Sequence, residues 1–275
     1  MRKSALTSLF VSLTLCGCAE QQAEYYIEQL SDPRSQVRLD ASHALVQLGG
    51  SAVEPLISHV TGNTDSLQYI AAQILGQIGD RRADPFLKEL LRDDNRYVRE
   101  QAVRALGQLD DSRINPILEE ILLLEQVPAV RGAAAWSLGN LRDRAAVPAL
   151  IRALNDSVTS VRQQALAAMQ FLWSPAVEAA TITALRDGDG NLRHIAAQLL
   201  GHHRTNRALS DLFLALKDNN IWVRAESARA LGRIGDSTAI APLERLFSTR
   251  EGPDHEAAKE ALQLLTGINY AVAPE

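Results

Sequence analysis

Cysteine is almost absent from this sequence. Its two cysteines, Cys16 and Cys18, lie close together near the N-terminus, and none follows in the rest of the 275 residues. The chain beyond residue 18 therefore has no disulfide, no thiolate metal site and no cysteine nucleophile.

An excess of positive charge is also missing. The sequence has 28 Lys and Arg against 33 Asp and Glu, a net charge of −5, which argues against nucleic acid as a partner. It contains no G-x-S-x-G nucleophile motif, no phosphate-binding loop and no dinucleotide fingerprint. Its six histidines are scattered, and one alone is followed by Glu, in His255-Glu256. These absences predict no catalytic residue, no cofactor and no metal site.

The first residues resemble the signal of a bacterial lipoprotein. Arg2 and Lys3 precede an apolar run, Ala5–Leu15, which is too short to span a membrane. The following Leu-Cys-Gly-Cys is similar to a lipobox, and this resemblance implies cleavage after residue 17 and lipid on Cys18. We expect a signal peptide at 1–17 and a mature chain, 18–275, anchored in the bacterial envelope. Ala19 favours the outer membrane, facing the periplasm. The alternative is an ordinary cleaved signal.

One pattern recurs through the rest of the chain, V-R-x-x-A-x-x-A-L-G. Clear copies begin at residues 98, 130, 161, 192 and 223, and looser copies at 37, 67 and 254, with spacings of 30 to 32 residues. A repeat this regular indicates a repeated structural unit rather than an active site.

Each repeat is expected to contain two helices. In the copy at 223, Val223, Ala230 and Ile234 follow the three-and-four spacing of one helical face. In four repeats, a proline 18 residues after the start of the copy opens a second apolar segment, as suits the first helical position. The sequence thus predicts an all-α protein, a right-handed α-solenoid of about eight stacked helix-turn-helix repeats of ~31 residues.

The segments "ALGRIGDSTAIAPL" and "DDNRYVREQAVRALG" resemble HEAT repeats, specifically the short variety named after phycobilisome lyases. The resemblance covers roughly residues 24–268 and implies the stacked-helix fold. It does not carry a reaction with it.

An acidic residue stands five positions before most copies of the pattern, and an arginine stands one position after their first residue. We expect each acid to cap the following helix and to bond an arginine of its own or the next repeat. The alternative, a row of acid/base pairs, is disfavoured because one pair in nearly every repeat is typical of structure. We call this set the Asp–Arg ladder: Asp32, Arg38, Asp93, Arg99, Glu125, Arg131, Asp156, Arg162, Asp187, Arg193, Asp218 and Arg224.

Another set of positions projects to one side of the repeated helix, away from its apolar arc. In the middle and late repeats these positions hold aromatic rings and arginines, residue types that anchor binding partners. The sequence predicts a partner-binding face from Tyr97, Arg104, Trp136, His202, Trp222, Arg229 and Arg233.

From these features we expect a non-enzymatic, lipid-anchored scaffold or adaptor that binds a protein or peptide of the cell envelope and no cofactor. The alternative is a catalytic relative, of the metal-dependent hydroxylase or oxidoreductase type or of the bilin-lyase type. Deoxyhypusine hydroxylase is built from similar repeats and holds two irons through His-Glu dipeptides of several repeats. The single dipeptide His255-Glu256 departs from that pattern.

Overall fold

The computed structural model describes residues 19–61, 65–249 and 251–270. Over these residues the chain forms α-helices joined by turns and short 3-10 segments, and no strand occurs among them. The predicted all-α solenoid class is confirmed. The proposed signal peptide and Cys18 lie outside the described residues. In the described part of the chain, no helix is both long and apolar enough to cross a membrane.

The chain divides into two compact units. Of the described residues, those up to 121 and those from 125 to 141 form unit 1, and residues 122–124 and those from 142 onward form unit 2. The helices up to Leu141 are α1 (Ala19–Gln29), α2 (Ser35–Leu48), α3 (Val53–Val60), α4 (Asp65–Ile78), α5 (Asp84–Leu90), α6 (Arg96–Gln108), α7 (Asn115–Leu124) and α8 (Pro128–Leu141).

Unit 2 continues the same alternation of helices. They are α9 (Val147–Ala153), α10 (Thr159–Ala168), α11 (Pro175–Ala184), α12 (Gly190–His202), α13 (Leu209–Ala215), α14 (Ile221–Ile234), α15 (Ile240–Thr249) and α16 (Pro253–Thr266). The repeated V-R pattern falls on the even-numbered helices, and the proline-containing segments form the odd-numbered ones.

The prolines enter their helices one or two residues later than the first position. Pro85, Pro116 and Pro148 are second residues of α5, α7 and α9, and Pro55 is the third residue of α3. The N–H groups of the first turn have no partner inside the helix, so proline is tolerated throughout that turn.

Neighbouring even-numbered helices within a unit approach each other through the glycine of the repeated pattern. A methyl group on Gly201 of α12 would lie 2.6 Å from Cα of Ala230 in α14, and one on Gly232 of α14 would lie 2.7 Å from Cα of Ala261 in α16. In unit 1, Gly107 of α6 meets Ser137 of α8 in the same way. The glycine is therefore required by close helix packing.

Candidate functional site

The arginines of the Asp–Arg ladder first bond their own repeat through the backbone. In each, Nη1 donates to the carbonyl oxygen of the ladder acid six residues earlier, at distances of 2.7 to 3.0 Å. The sequence allowed a carboxylate of the same repeat as partner, but the bond within the repeat is to its main chain. The pairs are Arg38 with Asp32, Arg99 with Asp93, Arg131 with Glu125, Arg162 with Asp156, Arg193 with Asp187, and Arg224 with Asp218.

In Arg99, Arg162 and Arg193, other guanidinium donors reach the acid of the following repeat. Arg193 bonds both carboxylate oxygens of Asp218 at 2.7 Å, and Arg162 bonds both oxygens of Asp187 at 3.0 Å. In unit 1, Arg99 bonds Glu125 at 3.2 Å. Each of these bridges fixes the turns of two successive repeats to one another.

The ladder acids also order the turns in which they stand. Asp218 accepts the N–H of Asn220, which in turn caps α14 by accepting the N–H of Trp222. Burial disfavours the ionised form of Asp218, yet the hydrogen bonds from Arg193 and from the Asn220 N–H hold the pKa of this carboxyl below its ordinary value. A carboxylate that stays ionised in this way is a poor proton donor at neutral pH, and its contacts are those of a structural group.

The last member of the ladder was missed by sequence reasoning. Asp254 occupies the position that holds Val or Leu in the other copies of the pattern, yet it is fully buried and accepts Arg224 Nε at 2.7 Å. A polar residue at a core position was the available signal. Asp254 takes the place of the acid that would otherwise stand five residues earlier.

In unit 1, the residues predicted to bind a partner are partly engaged with one another. Arg104 pairs with Glu100 at 3.0 Å, and its guanidinium lies 5.9 Å from the ring of the half-buried Trp136. Tyr97 is 54% exposed, and the guanidinium of Arg96 lies 4.6 Å from its ring. These side chains form one aromatic and cationic surface on α6 and α8.

In unit 2, the predicted residues of α14 surround a buried carboxylate that sequence reasoning did not single out. Glu226 is nearly buried and accepts Arg233 Nη1 at 2.9 Å and Arg229 Nη1 at 3.4 Å. Trp222 stands one turn earlier on the same helix and is 56% exposed. The spacing of the four residues along α14 places them on one stripe of the helix.

A histidine pair ends the neighbouring helix α12. His202 is exposed and meets His203 edge to face, with ring centroids 5.0 Å apart, while His203 stacks on Trp173 at 3.8 Å. Burial, together with the neighbouring His202, lowers the pKa of His203. His203 is therefore mainly neutral at pH 7, and the ring of His202 packs against it.

Helix packing brings these features to one surface. Because Gly201 of α12 lies against Ala230 of α14, His202 and Arg233 stand at the same ends of two adjacent helices. We define the α12–α14 face as His202, Trp222, Glu226, Arg229 and Arg233. It combines an exposed imidazole, two guanidiniums and an exposed indole.

The histidines and acidic residues of this chain do not form the kind of two-iron site that deoxyhypusine hydroxylase builds from His-Glu dipeptides. His255 is stacked on Phe247 and lies 2.8 Å from the carbonyl oxygen of that residue, and the exposed Glu256 is 3.6 Å from Lys259. Across the described residues, no group of three or more His, Cys, Asp or Glu side chains could hold a metal ion. A second His-Glu dipeptide does not occur in the sequence.

Several known proteins are similar to this chain. A family model of HEAT repeats matches residues 23–106, 53–128, 89–170 and 177–263. Deoxyhypusine hydroxylase-B of Oryza sativa subsp. japonica is 26% identical over 267 residues, which are 94% of this chain and 85% of that protein.

Two solved structures are similar as well. The X-ray structure of the Escherichia coli protein YibA has a TM-score of 0.65 and 24% identity, covering 90% of this chain and 94% of that one, and this likeness shows the fold. The complex of CpcE and CpcF of phycocyanin lyase from Nostoc sp. PCC7120 has a TM-score of 0.45 and 23% identity, covering 88% and 94%.

The expectation of a non-enzymatic scaffold or adaptor is wrong. The relative that aligns with nearly the whole chain is an enzyme, and this match favours the alternative hypothesis, a catalytic relative built from the same repeats.

Proposed function

Because the chain belongs to the HEAT-repeat family, we propose that it is a catalytic member of that family and that its substrate binds on the α12–α14 face. The observation that carries this proposal is the match to deoxyhypusine hydroxylase over almost the whole chain. The fold alone specifies no reaction, so the reaction type has to come from the side chains.

The chemistry that these side chains support is proton transfer. Histidine is the usual general acid or base near neutral pH, and His202 is exposed at the end of α12 while its ring rests edge to face on His203. The arginines of α14 at the same surface can hold an anionic group of the substrate. The His, Asp and Glu side chains of the described residues do not fit protein-held iron. The reaction we propose is therefore of the lyase type and uses acid–base chemistry.

In such a reaction, His202 removes a proton from a substrate carbon. The bonding electrons form a carbon–carbon double bond as a leaving group departs from the adjacent carbon with its electron pair. The histidine then passes the proton to the leaving group, so a small neutral molecule is released. The reverse steps add that molecule across the double bond.

The test is an activity screen by mass spectrometry. The purified full chain is incubated, in the presence of a metal chelator, with a bacterial small-molecule extract and separately with a deoxyhypusine-bearing protein, the substrate class named by the relative. We expect product masses that differ from a substrate by one small neutral molecule, and we expect His202→Ala to lower their formation at least ~100-fold, the usual contribution of a general acid or base.

His43→Ala is the matched control, because His43 is an exposed histidine on an even-numbered helix of unit 1; this variant should retain full activity. In a parallel incubation with added iron and no chelator, gain of one oxygen by the substrate would overturn the lyase hypothesis in favour of hydroxylation. If His202→Ala matches the unaltered chain in every reaction, the proposed site is wrong.

The N-terminal resemblance supports a location for this activity. We propose that lipid on Cys18 holds the chain at the envelope membrane. We also propose that its repeats are of the short variety named after phycobilisome lyases. Cys18→Ser should abolish labelling by radioactive palmitate and move the chain from the membrane to the soluble fraction, because the lipid supplies the membrane affinity. Ser35→Ala is a control that keeps the signal intact. Membrane fractionation that is unchanged in Cys18→Ser would rule out the lipid anchor.

A further inference from the structure

Three charged residues of α14 form a compact cluster. Glu226, Arg229 and Arg233 are spaced three and four residues apart, which places them on one side of the helix. The Glu226 side chain is 8% exposed, whereas those of Arg229 and Arg233 are 31% and 42% exposed. One nearly buried carboxylate therefore lies beneath two more exposed guanidiniums.

Several N–H donors of Arg229 and Arg233 have no acceptor among the described residues. A guanidinium has five N–H donors. In Arg233, Nη1 is the one nitrogen that donates to an acceptor among the described residues. Arg229 uses Nη1 and Nε, each at 3.4 Å, and its Nε partner is the 59% exposed Glu260. A long ion pair at such exposure contributes little and yields readily to a better acceptor.

Arginines of the Asp–Arg ladder in the same unit differ in this respect. Arg193 directs Nη1 to two backbone carbonyls, Nε and Nη2 to Asp218, and Nη2 also to Asn219. It is 13% exposed. The protein satisfies its structural arginines, so the unused donors of Arg229 and Arg233 are available for a ligand.

Glu226 orients the donors of Arg229 and Arg233. Glu226 accepts from both arginines, which reduces the side-chain entropy that they would lose on binding. Glu226 neutralises one of the two positive charges, so the cluster retains attraction for one further anion wherever the weakly held Glu260 is displaced.

Trp222 gives the cluster an apolar neighbour. It lies on the same stripe of α14, seven residues before Arg229, a distance of about 10 Å along a helix at 1.5 Å per residue. Its ring is 56% exposed. An aromatic surface at one end and paired guanidiniums at the other match a ligand with an apolar body and an anionic head.

We infer that Arg229 and Arg233, oriented by Glu226, bind the carboxylate of an organic anion whose apolar part lies on Trp222. This inference rests on the proposed function, for which it names the substrate class. Planar guanidiniums bind carboxylates through two parallel hydrogen bonds, which fix both position and direction of the ligand.

The experiment is calorimetric titration of the full chain with 4-phenylbutyrate, with 4-phenylbutanol and with inorganic phosphate. We expect 4-phenylbutyrate to bind at least ~10-fold more tightly than the alcohol, because the alcohol lacks the charged head. The double variant Arg229→Gln with Arg233→Gln should lose at least ~10-fold in affinity for 4-phenylbutyrate. Trp222→Ala should weaken binding of 4-phenylbutyrate and leave that of phosphate unchanged.

Arg152→Gln is the matched control, because it removes one exposed arginine from α9 of the same unit; its affinity should equal that of the unaltered chain. Thermal unfolding of every variant verifies that it is folded. Equal affinity for phosphate and 4-phenylbutyrate would overturn the organic carboxylate as ligand class, and absence of binding by the folded chain would overturn the site.

The outcome is separable from that of the activity screen. Carboxylate binding without any reaction that depends on His202 would leave the binding site in place and reject the proposed function. A reaction that depends on His202, without carboxylate binding, would support the proposed function and reject the carboxylate site.

Discussion

Replacing Asp254 with alanine should lower the free energy of unfolding by about 3 to 5 kcal/mol, the cost of leaving a buried charge without its partner. Arg224 and Asp254 form a 2.7 Å ion pair whose side chains are 7% and 0% exposed. Without the carboxylate, Arg224 keeps its bonds to the carbonyl oxygens of Asp218 and Asn219 and a coulombic interaction with the Asp218 carboxylate, but its nearly buried guanidinium loses the carboxylate to which it is directly bonded. Urea unfolding followed by circular dichroism measures the change.

Arg186→Ala is the matched control for this prediction. It breaks an ion pair of the same length, 2.7 Å, with Asp211, but the Arg186 side chain is 73% exposed. We expect a loss of less than about 1 kcal/mol, as is usual for exposed pairs. Equal losses in the two variants would show that burial does not determine the strength of the Arg224 pair.

Gly201→Ala should destabilise the chain by about 1 to 3 kcal/mol, the range for an overpacked core position. Helix propensity alone favours alanine over glycine within a helix. The added methyl group, however, would lie 2.6 Å from Cα of Ala230 and 2.8 Å from its Cβ, so α12 and α14 would have to move apart. We expect the clash to outweigh the propensity, and thermal or urea unfolding tests the sign.

Gly188→Ala is the control, because Gly188 lies in the turn before α12 and no atom stands within 4 Å of the added methyl group. Its stability should be unchanged or slightly raised. Gly201→Ala should in addition lower the proposed reaction at the α12–α14 face, since His202 and the arginines of α14 that hold the substrate would separate. A stability of Gly201→Ala at or above that of the unaltered chain would refute the close-packing role of this glycine.

The repeated pattern was sufficient to predict the fold. Val98, Val161 and Val223 open copies of the pattern and are fully buried, as their apolar spacing required. The glycine that ends the pattern was harder to interpret, because a glycine near the end of a helix also suits a turn. Its role in packing depends on the neighbouring helix, which spacing within one repeat does not reveal.

The sequence indicated the α12–α14 face only in part. Trp222, Arg229 and Arg233 were identified because large or charged residues stand where the early repeats have mainly small or amide ones. Glu226 was overlooked although it belongs to the same stripe, since a lone glutamate on a surface helix is ordinarily solvated. Arg229 and Arg233 of the same helix donate to its carboxylate, but the spacing of the three residues does not reveal how deeply that carboxylate is buried.

The Asp–Arg ladder gives the array a direction. From α10 to α12, from α12 to α14 and from α14 to α16, the guanidinium always belongs to the earlier repeat and the carboxylate to the later one. The repeats that begin at 192 and 223 thus each contribute one guanidinium donor and one carboxylate acceptor. Duplication or loss of one repeat within this run would leave each remaining guanidinium opposite a carboxylate, so evolution can change the number of repeats there without loss of the ion pairs between them.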